Sequence, residues 1–270
     1  MSPKNPTQAE RLAQIRAALD ELRLGDMGVQ LDTELDNTDD DTWLERLWRL
    51  LDAQRRARRE RAIERRIKAA RFPAAKTLDT FDFDFQTGVD RDQILNLASL
   101  AWLERRQSIL LGGMSGTGKS HIAIALAHLA CVHGYSARYT TSANLLSHLH
   151  LALTTSDLQR ATRPFVRCDL LLIDEVGLDQ PERQITKASD AQLLYKVVAA
   201  RYSAARSSII TTNISWDQWG DYLGDDVATA AILDRLVHRS HAITIDGPSW
   251  RAHQHSRLNN ASNTDGQVRD

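Results

Sequence analysis

Thirteen residues, 108–120, restrict the fold of this chain more than any others. They read SILLGGMSGTGKS. An apolar strand, Ile109 to Leu111, runs into a glycine-rich loop from Gly113 to Ser120. A nearly all-apolar helix follows, from Ile122 to Ala130. The loop has the GxxxxGK[ST] spacing of a phosphate loop. Gly113, Gly116 and Gly118 permit turns that point successive N–H groups, that of Thr117 among them, at phosphate oxygens. The helix starting near Gly118 adds the positive end of its dipole. Lys119 can reach the β- and γ-phosphates, and Ser120 can ligate Mg²⁺. His121, next in sequence, is placed with the nucleotide-binding set.

A second element supports the first. Residues 169–177 read DLLLIDEVG. Leu170 to Ile173 is an apolar run typical of a strand buried on both faces. It delivers Asp174 and Glu175 to its C-terminal edge, where ligands bind in parallel sheets. Asp174 would hold Mg²⁺ through water. Glu175 would orient and deprotonate the attacking water, which favours NTP hydrolysis over transfer to a metabolite. Residues 207–213, SSIITTN, read as another buried strand ending in Asn213. That side chain either contacts the water or γ-phosphate or caps the next helix.

From Ser108 onward strand and helix alternate. Strands are predicted at 108–112, 136–140, 169–173, 207–212 and 241–246. Helices are predicted at 118–133, 142–153, 184–205 and 227–239, with short ones at 90–105 and 215–222. The pattern predicts an α/β fold with a doubly wound, parallel five-stranded sheet. Arg235 and Arg239 fall late on the last helix. Arg235 serves either as a finger reaching the nucleotide of a neighbouring subunit or as a surface arginine paired with a carboxylate, and Arg239 is the other candidate for the finger. Arg251, in GPSWR, follows the last strand and either contacts the γ-phosphate of its own subunit or begins the tail. The histidines show no zinc-ligand spacing beside a carboxylate.

The N-terminal region is different. The net charge of −1, from 34 basic and 35 acidic side chains, hides a segregated distribution. Residues 55–71, RRARRERAIERRIKAAR, carry 9 basic and 2 acidic groups, whereas residues 1–50 carry 6 basic and 11 acidic. Helical periodicity runs from Trp43 until Phe72-Pro73 stops it, with Asp41 or Thr42 as N-cap and Glu45 in support. An earlier helix spans Ala9 to Leu24 and is expected to end at Gly25. The acidic stretch from Asp32 to Asp41 reads as a connecting loop. A block of Arg55, Arg56, Arg58, Arg59, Arg61, Arg65, Arg66 and Lys68 is either a solvated face or a surface for nucleic-acid phosphates.

The expected organisation is a helical, basic N-terminal region over 1–71 and a docked linker over 72–86, anchored by Phe81, Phe83 and Phe85. A nucleotide-hydrolysing α/β domain over 87–255 and a disordered tail over 256–270 complete it. No run is long and apolar enough for a membrane span and no secretory signal stands at the start, so a cytoplasmic protein is expected. Cys131 and Cys168 read as two small buried residues.

The phosphate loop GMSGTGKSH, then LLIDEVG, TTN, ILDRLVHR and GPSWR, follow in an order that resembles the AAA+ ATPases of the DnaC/IstB group. IstB-like transposition helpers are the most similar. KAARFPAAKTLDTFDFDF before the core adds to the resemblance, which covers about residues 9–255. It implies a homo-oligomer with ATP at subunit interfaces and Mg²⁺ as cofactor, with Arg235 as the trans finger. It further implies non-specific binding of duplex DNA and a partner transposase (IstA-like) assisted in target selection and strand transfer. Met114-Ser115 depart from the residues often found in related loops, at unconstrained positions. Two rival readings share these residues: a DnaC-like replicative helicase loader, and a DNA-binding module that ATP switches with little hydrolysis.

Overall fold

Alternating apolar strands and helices build a parallel sheet in a computed structural model, which describes residues 7–37, 41–178 and 189–254. The chain divides into two units, residues 1–65 and 66–270.

The first unit contains α1 (Gln8–Glu21), α2 (Gly25–Asp36) and most of α3 (Trp43–Ala70). Thr7 and Glu10 form a capping box at the start of α1. Gly25 does not end that helix. Arg23 takes the left-handed conformation at φ 56°. Its N–H donates to the Asp20 carbonyl at 3.0 Å, and that of Leu24 to the Leu19 carbonyl at 2.7 Å. This pair of bonds closes a Schellman motif. Gly25 instead opens α2, which runs into the acidic stretch expected to be loop. Ion pairs from other helices stabilise those acids. Arg16 meets Asp32, and Arg49 grips Glu34 through two bonds of 2.8 and 2.7 Å while also reaching Asp41. The Arg49 guanidinium holds the Glu34 carboxyl down at about 2. α3 begins at the expected cap, with Thr42 and Glu45 bonded reciprocally.

The second unit holds the sheet. After α4 (Arg91–Ala98) and α5 (Ala101–Glu104) come β1 (Ser108–Gly113), α6 (Lys119–Val132), β2 (Ala137–Thr141) and α7 (Ser142–Thr154). Then follow α8 (Leu158–Arg167), β3 (Leu170–Val176), α9 (Asp190–Ser203), β4 (Ser207–Thr212), α10 (Trp219–Leu223), α11 (Asp226–Val237) and β5 (Ser240–Ile245). The strand order is β2-β3-β4-β1-β5 and every pairing is parallel. All five predicted strands are present. α8 was not predicted, and it holds Pro164 within its span. The next residue, Phe165, is buried in the core, and the buried Arg201 guanidinium donates to the Phe165 carbonyl at 2.6 Å, which holds the segment in place.

Two apolar clusters sandwich the sheet. Ile109, Leu111, Leu170 and Leu172 face α6, whereas Leu110, Leu171, Ile173 and Ile210 face α7 and α9. Phe81 and Phe83 of the linker pack against the first cluster, as expected. The tail after Gln254, and residues 184–188 of the helix predicted over 184–205, lie outside the described residues. No described helix is long and apolar enough to cross a membrane.

Candidate nucleotide site

The phosphate loop leaves β1 at its C-terminal edge. Gly113 and Gly118 have φ of 136° and 94°, values that residues with a Cβ rarely adopt. At Gly118 an added Cβ would also stand 2.5 Å from the Phe81 ring. The linker thus lies directly against the loop. Lys119 is buried, and its Nζ donates to the carbonyls of Gly113 at 2.8 Å and Met114 at 2.6 Å. Burial lowers its pKa to about 8; the Asp174 charge opposes that shift and Arg251 adds to it.

Asp174 sits at the end of β3, 2% exposed. Ser120 Oγ donates to its Oδ1 at 2.8 Å, Tyr139 OH to its Oδ2 at 3.1 Å, and Thr211 Oγ1 also donates to Oδ1. Burial and the Asp174 charge raise the Tyr139 pKa, so the phenol stays a donor. A hydroxyl and a carboxylate oxygen side by side are hard ligands. They fit a magnesium ion, which takes one or two protein oxygens and completes its shell with phosphates and water. Among the described residues no cluster of three or more His, Cys, Asp or Glu offers a rival metal site.

A cavity of about 580 Å³ opens beside the loop. Lys119, Ser120, His121, Glu175, Asn213 and Arg251 all line it, as do Gly116, Thr117 and Gly118. Gly113 ends β1 where the loop begins, and Asp174 is bonded to Ser120. Of the residues assigned to this site from the sequence, those of the loop, of the ends of β3 and β4, and Arg251 thus lie at one place, whereas Arg235 lies elsewhere. His121 is turned toward the linker: its Nε2–H donates to the Thr77 carbonyl at 2.8 Å, and burial lowers its pKa. Arg251 belongs to a helical turn beginning at Trp250, whose N–H donates to the Gly116 carbonyl at 3.0 Å.

Linker residues to which the sequence gave only a packing role, or none, also line the cavity: Phe81, Phe85 and Gln86. Gln86 is buried, and its amide donates to the Thr117 carbonyl at 3.0 Å and the Pro248 carbonyl at 3.1 Å. Phe85 packs edge-on against Trp250. A glutamine after FDFDF carries no sequence signal for this bridge.

Arg235 does not line this cavity. Its guanidinium lies 4.8 Å over the Tyr195 ring and donates to the Ala231 carbonyl. With Arg239 it lines a separate small cleft at the start of β1 and β4. The basic block on α3 is mostly exposed. Arg55 and Arg56 share Asp52, and Arg61 pairs with Asp26. Among the described residues, Arg58, Arg59, Arg65, Arg66 and Lys68 have no ion-pair partner.

Comparison with known proteins agrees with this geometry. The chain is 36% identical over 218 residues to an ATP-binding protein of insertion sequence IS5376 from Geobacillus stearothermophilus, covering 81% of this chain and 84% of the relative. It is 38% identical over 194 residues to one of insertion sequence IS21 from Pseudomonas aeruginosa, covering 72% and 71%. The crystal structure of DnaI has a similar fold, with a TM-score of 0.50 at 18% identity over 67% of this chain and 92% of that one. Residues 17–258 match the family described as IstB-like ATP binding protein. A parallel five-stranded sheet with a complete phosphate loop, insertion-sequence relatives and this match together make the chain a member of the IstB-like ATP-binding protein family.

Proposed function

We propose that the chain hydrolyses ATP and uses the cycle to assemble on duplex DNA in support of a transposase. One observation carries the hydrolytic part: Glu175, Lys119, Asn213 and Arg251 line one cavity at the phosphate loop. N–H groups of the loop and the start of α6 bind the β-phosphate. Lys119 turns from the loop carbonyls to the β- and γ-oxygens. Ser120 and Asp174 would hold a magnesium ion, which supplies neutralisation of the phosphate charge. Glu175 accepts a proton from the water as its oxygen attacks the γ-phosphorus. The bond to the β–γ bridging oxygen breaks, leaving ADP and inorganic phosphate. Asn213 and Arg251 orient the water and the γ-phosphate, and Arg235 reaches the same group from a neighbouring subunit.

The N-terminal helical region supplies the DNA contact through the unpaired arginines of α3. Relatives encoded in insertion sequences support the choice of a transposase as partner. The test is phosphate release with and without duplex DNA, in the wild type and in Glu175→Gln. DNA-stimulated turnover is expected in the first, and ATP-bound oligomers without turnover in the second. Normal turnover by Glu175→Gln removes that residue as the base.

A further inference from the structure

We propose that Thr211 is the positioning residue that presents Glu175 to the attacking water, an inference resting on the hydrolytic reading above. β3 and β4 pair regularly up to Ile173 opposite Ile210, and again from Val176 opposite Thr212. Two residues of β3, Asp174 and Glu175, therefore stand against one residue of β4, Thr211. This is a bulge. In an unbroken strand consecutive side chains point to opposite faces, so one carboxylate would leave the site. The bulge cancels that alternation and re-aims a side chain. Here Asp174 meets Ser120 while Glu175 lines the cavity.

The bulge needs support. Glu175 has a φ of 62°, in the left-handed region, which a non-glycine residue holds only where its surroundings over-determine it. Thr211 provides that support. Its Oγ1 accepts the Glu175 N–H at 2.9 Å and donates its own proton to Asp174 Oδ1. One hydroxyl, 1% exposed, thus fixes the backbone of one acidic residue and the side chain of the other. Two residues on, the Asn213 N–H donates to the Val176 carbonyl at 3.2 Å and closes the far side of the bulge. The end of β4 acts as a clamp on both sides of Glu175.

Valine matches the shape of Thr211 but neither accepts nor donates, whereas serine keeps both functions. The experiment compares Thr211→Val and Thr211→Ser in the full chain, with Glu175→Gln alongside. Affinity for a fluorescent ATP analogue and turnover at saturating ATP with duplex DNA are measured. Thr211→Val is expected to lose at least tenfold in kcat while analogue affinity stays within threefold. Thr211→Ser is expected to stay within threefold of wild type in both. Wild-type kcat in Thr211→Val overturns the proposal. So does a loss of affinity that accounts for the lost turnover, or a serine variant as impaired as the valine one. A wild type without turnover, or a fully active Glu175→Gln, overturns the hydrolytic reading itself and the role of Thr211 with it. If Thr211→Val does not stay folded, as judged by thermal melting, Thr211→Ala assayed in the cold replaces it and the same comparison with serine decides.

Discussion

Replacing Arg58, Arg59, Arg65 and Arg66 together by glutamine should remove most of the salt dependence of DNA binding. These four are the arginines of the block without a carboxylate partner, whereas Arg55, Arg56 and Arg61 are engaged by Asp52 and Asp26. Arg58 and Arg65 are seven residues apart, about 10.5 Å along a helix. A duplex presents about six phosphate charges over that length, so phosphates do not limit the contact. Each neutralised phosphate contributes about 0.9 to the slope of log affinity against log salt, so four contribute about 3.6. Between 50 and 200 mM salt the wild type should therefore lose about 150-fold more affinity than the quadruple variant. Fluorescence anisotropy of a labelled duplex, titrated at several salt concentrations, reads this directly. ATP-analogue binding should be unchanged. Equal slopes for the two proteins refute the assignment. A larger drop from the triple variant Arg55, Arg56 and Arg61 to glutamine refutes the reasoning that ion pairing sorts these residues.

With Lys119 lowered to about 8, ATP affinity should weaken as pH rises from 7 to 9, and binding near pH 8 should take up a proton, seen by calorimetry in buffers of different ionisation heat. The sign follows from the group: the phosphates need the cation, and the free site loses it above about 8. Removing a neighbouring cation by Arg251→Gln should move this weakening to higher pH. Gly118→Ala should cost about 1–3 kcal/mol in backbone strain, push Phe81 away and weaken ATP-analogue binding at least tenfold, as measured by thermal melting and titration. Arg235→Ala and Lys119→Ala should each be inactive alone, and their mixture should regain turnover if the finger acts in trans; an inactive mixture argues that it does not.

The strands and the phosphate loop were legible because their signals are local. Apolar runs, glycine spacing and a following helix need no knowledge of the rest of the chain. α2 was not legible because its acids are stabilised from outside, by Arg16 on α1 and Arg49 on α3. Gly25 misled because an arginine occupied the left-handed position where glycine is the usual choice. In the site, individual residues such as Lys119 and Glu175 were readable from motif and strand end. Thr211 was not, since its role arises from a register skip between β3 and β4 that no single segment encodes. Gln86 was hidden for the same reason, as its partners lie 31 and 162 residues away.

That long-range bridge has a mechanical consequence. The phosphate loop is tied at Thr117 to the linker entering the sheet through Gln86, and at Gly116 to the segment leaving it through Trp250. Gln86 and Phe85 lash the two segments to each other. Any movement of the loop on phosphate binding would act through both ties at once. The phosphate loop of the second unit is thus tied to the segments that enter and leave the sheet, and removing the chain from Gly247 onward should weaken its response to nucleotide while leaving the sheet itself intact.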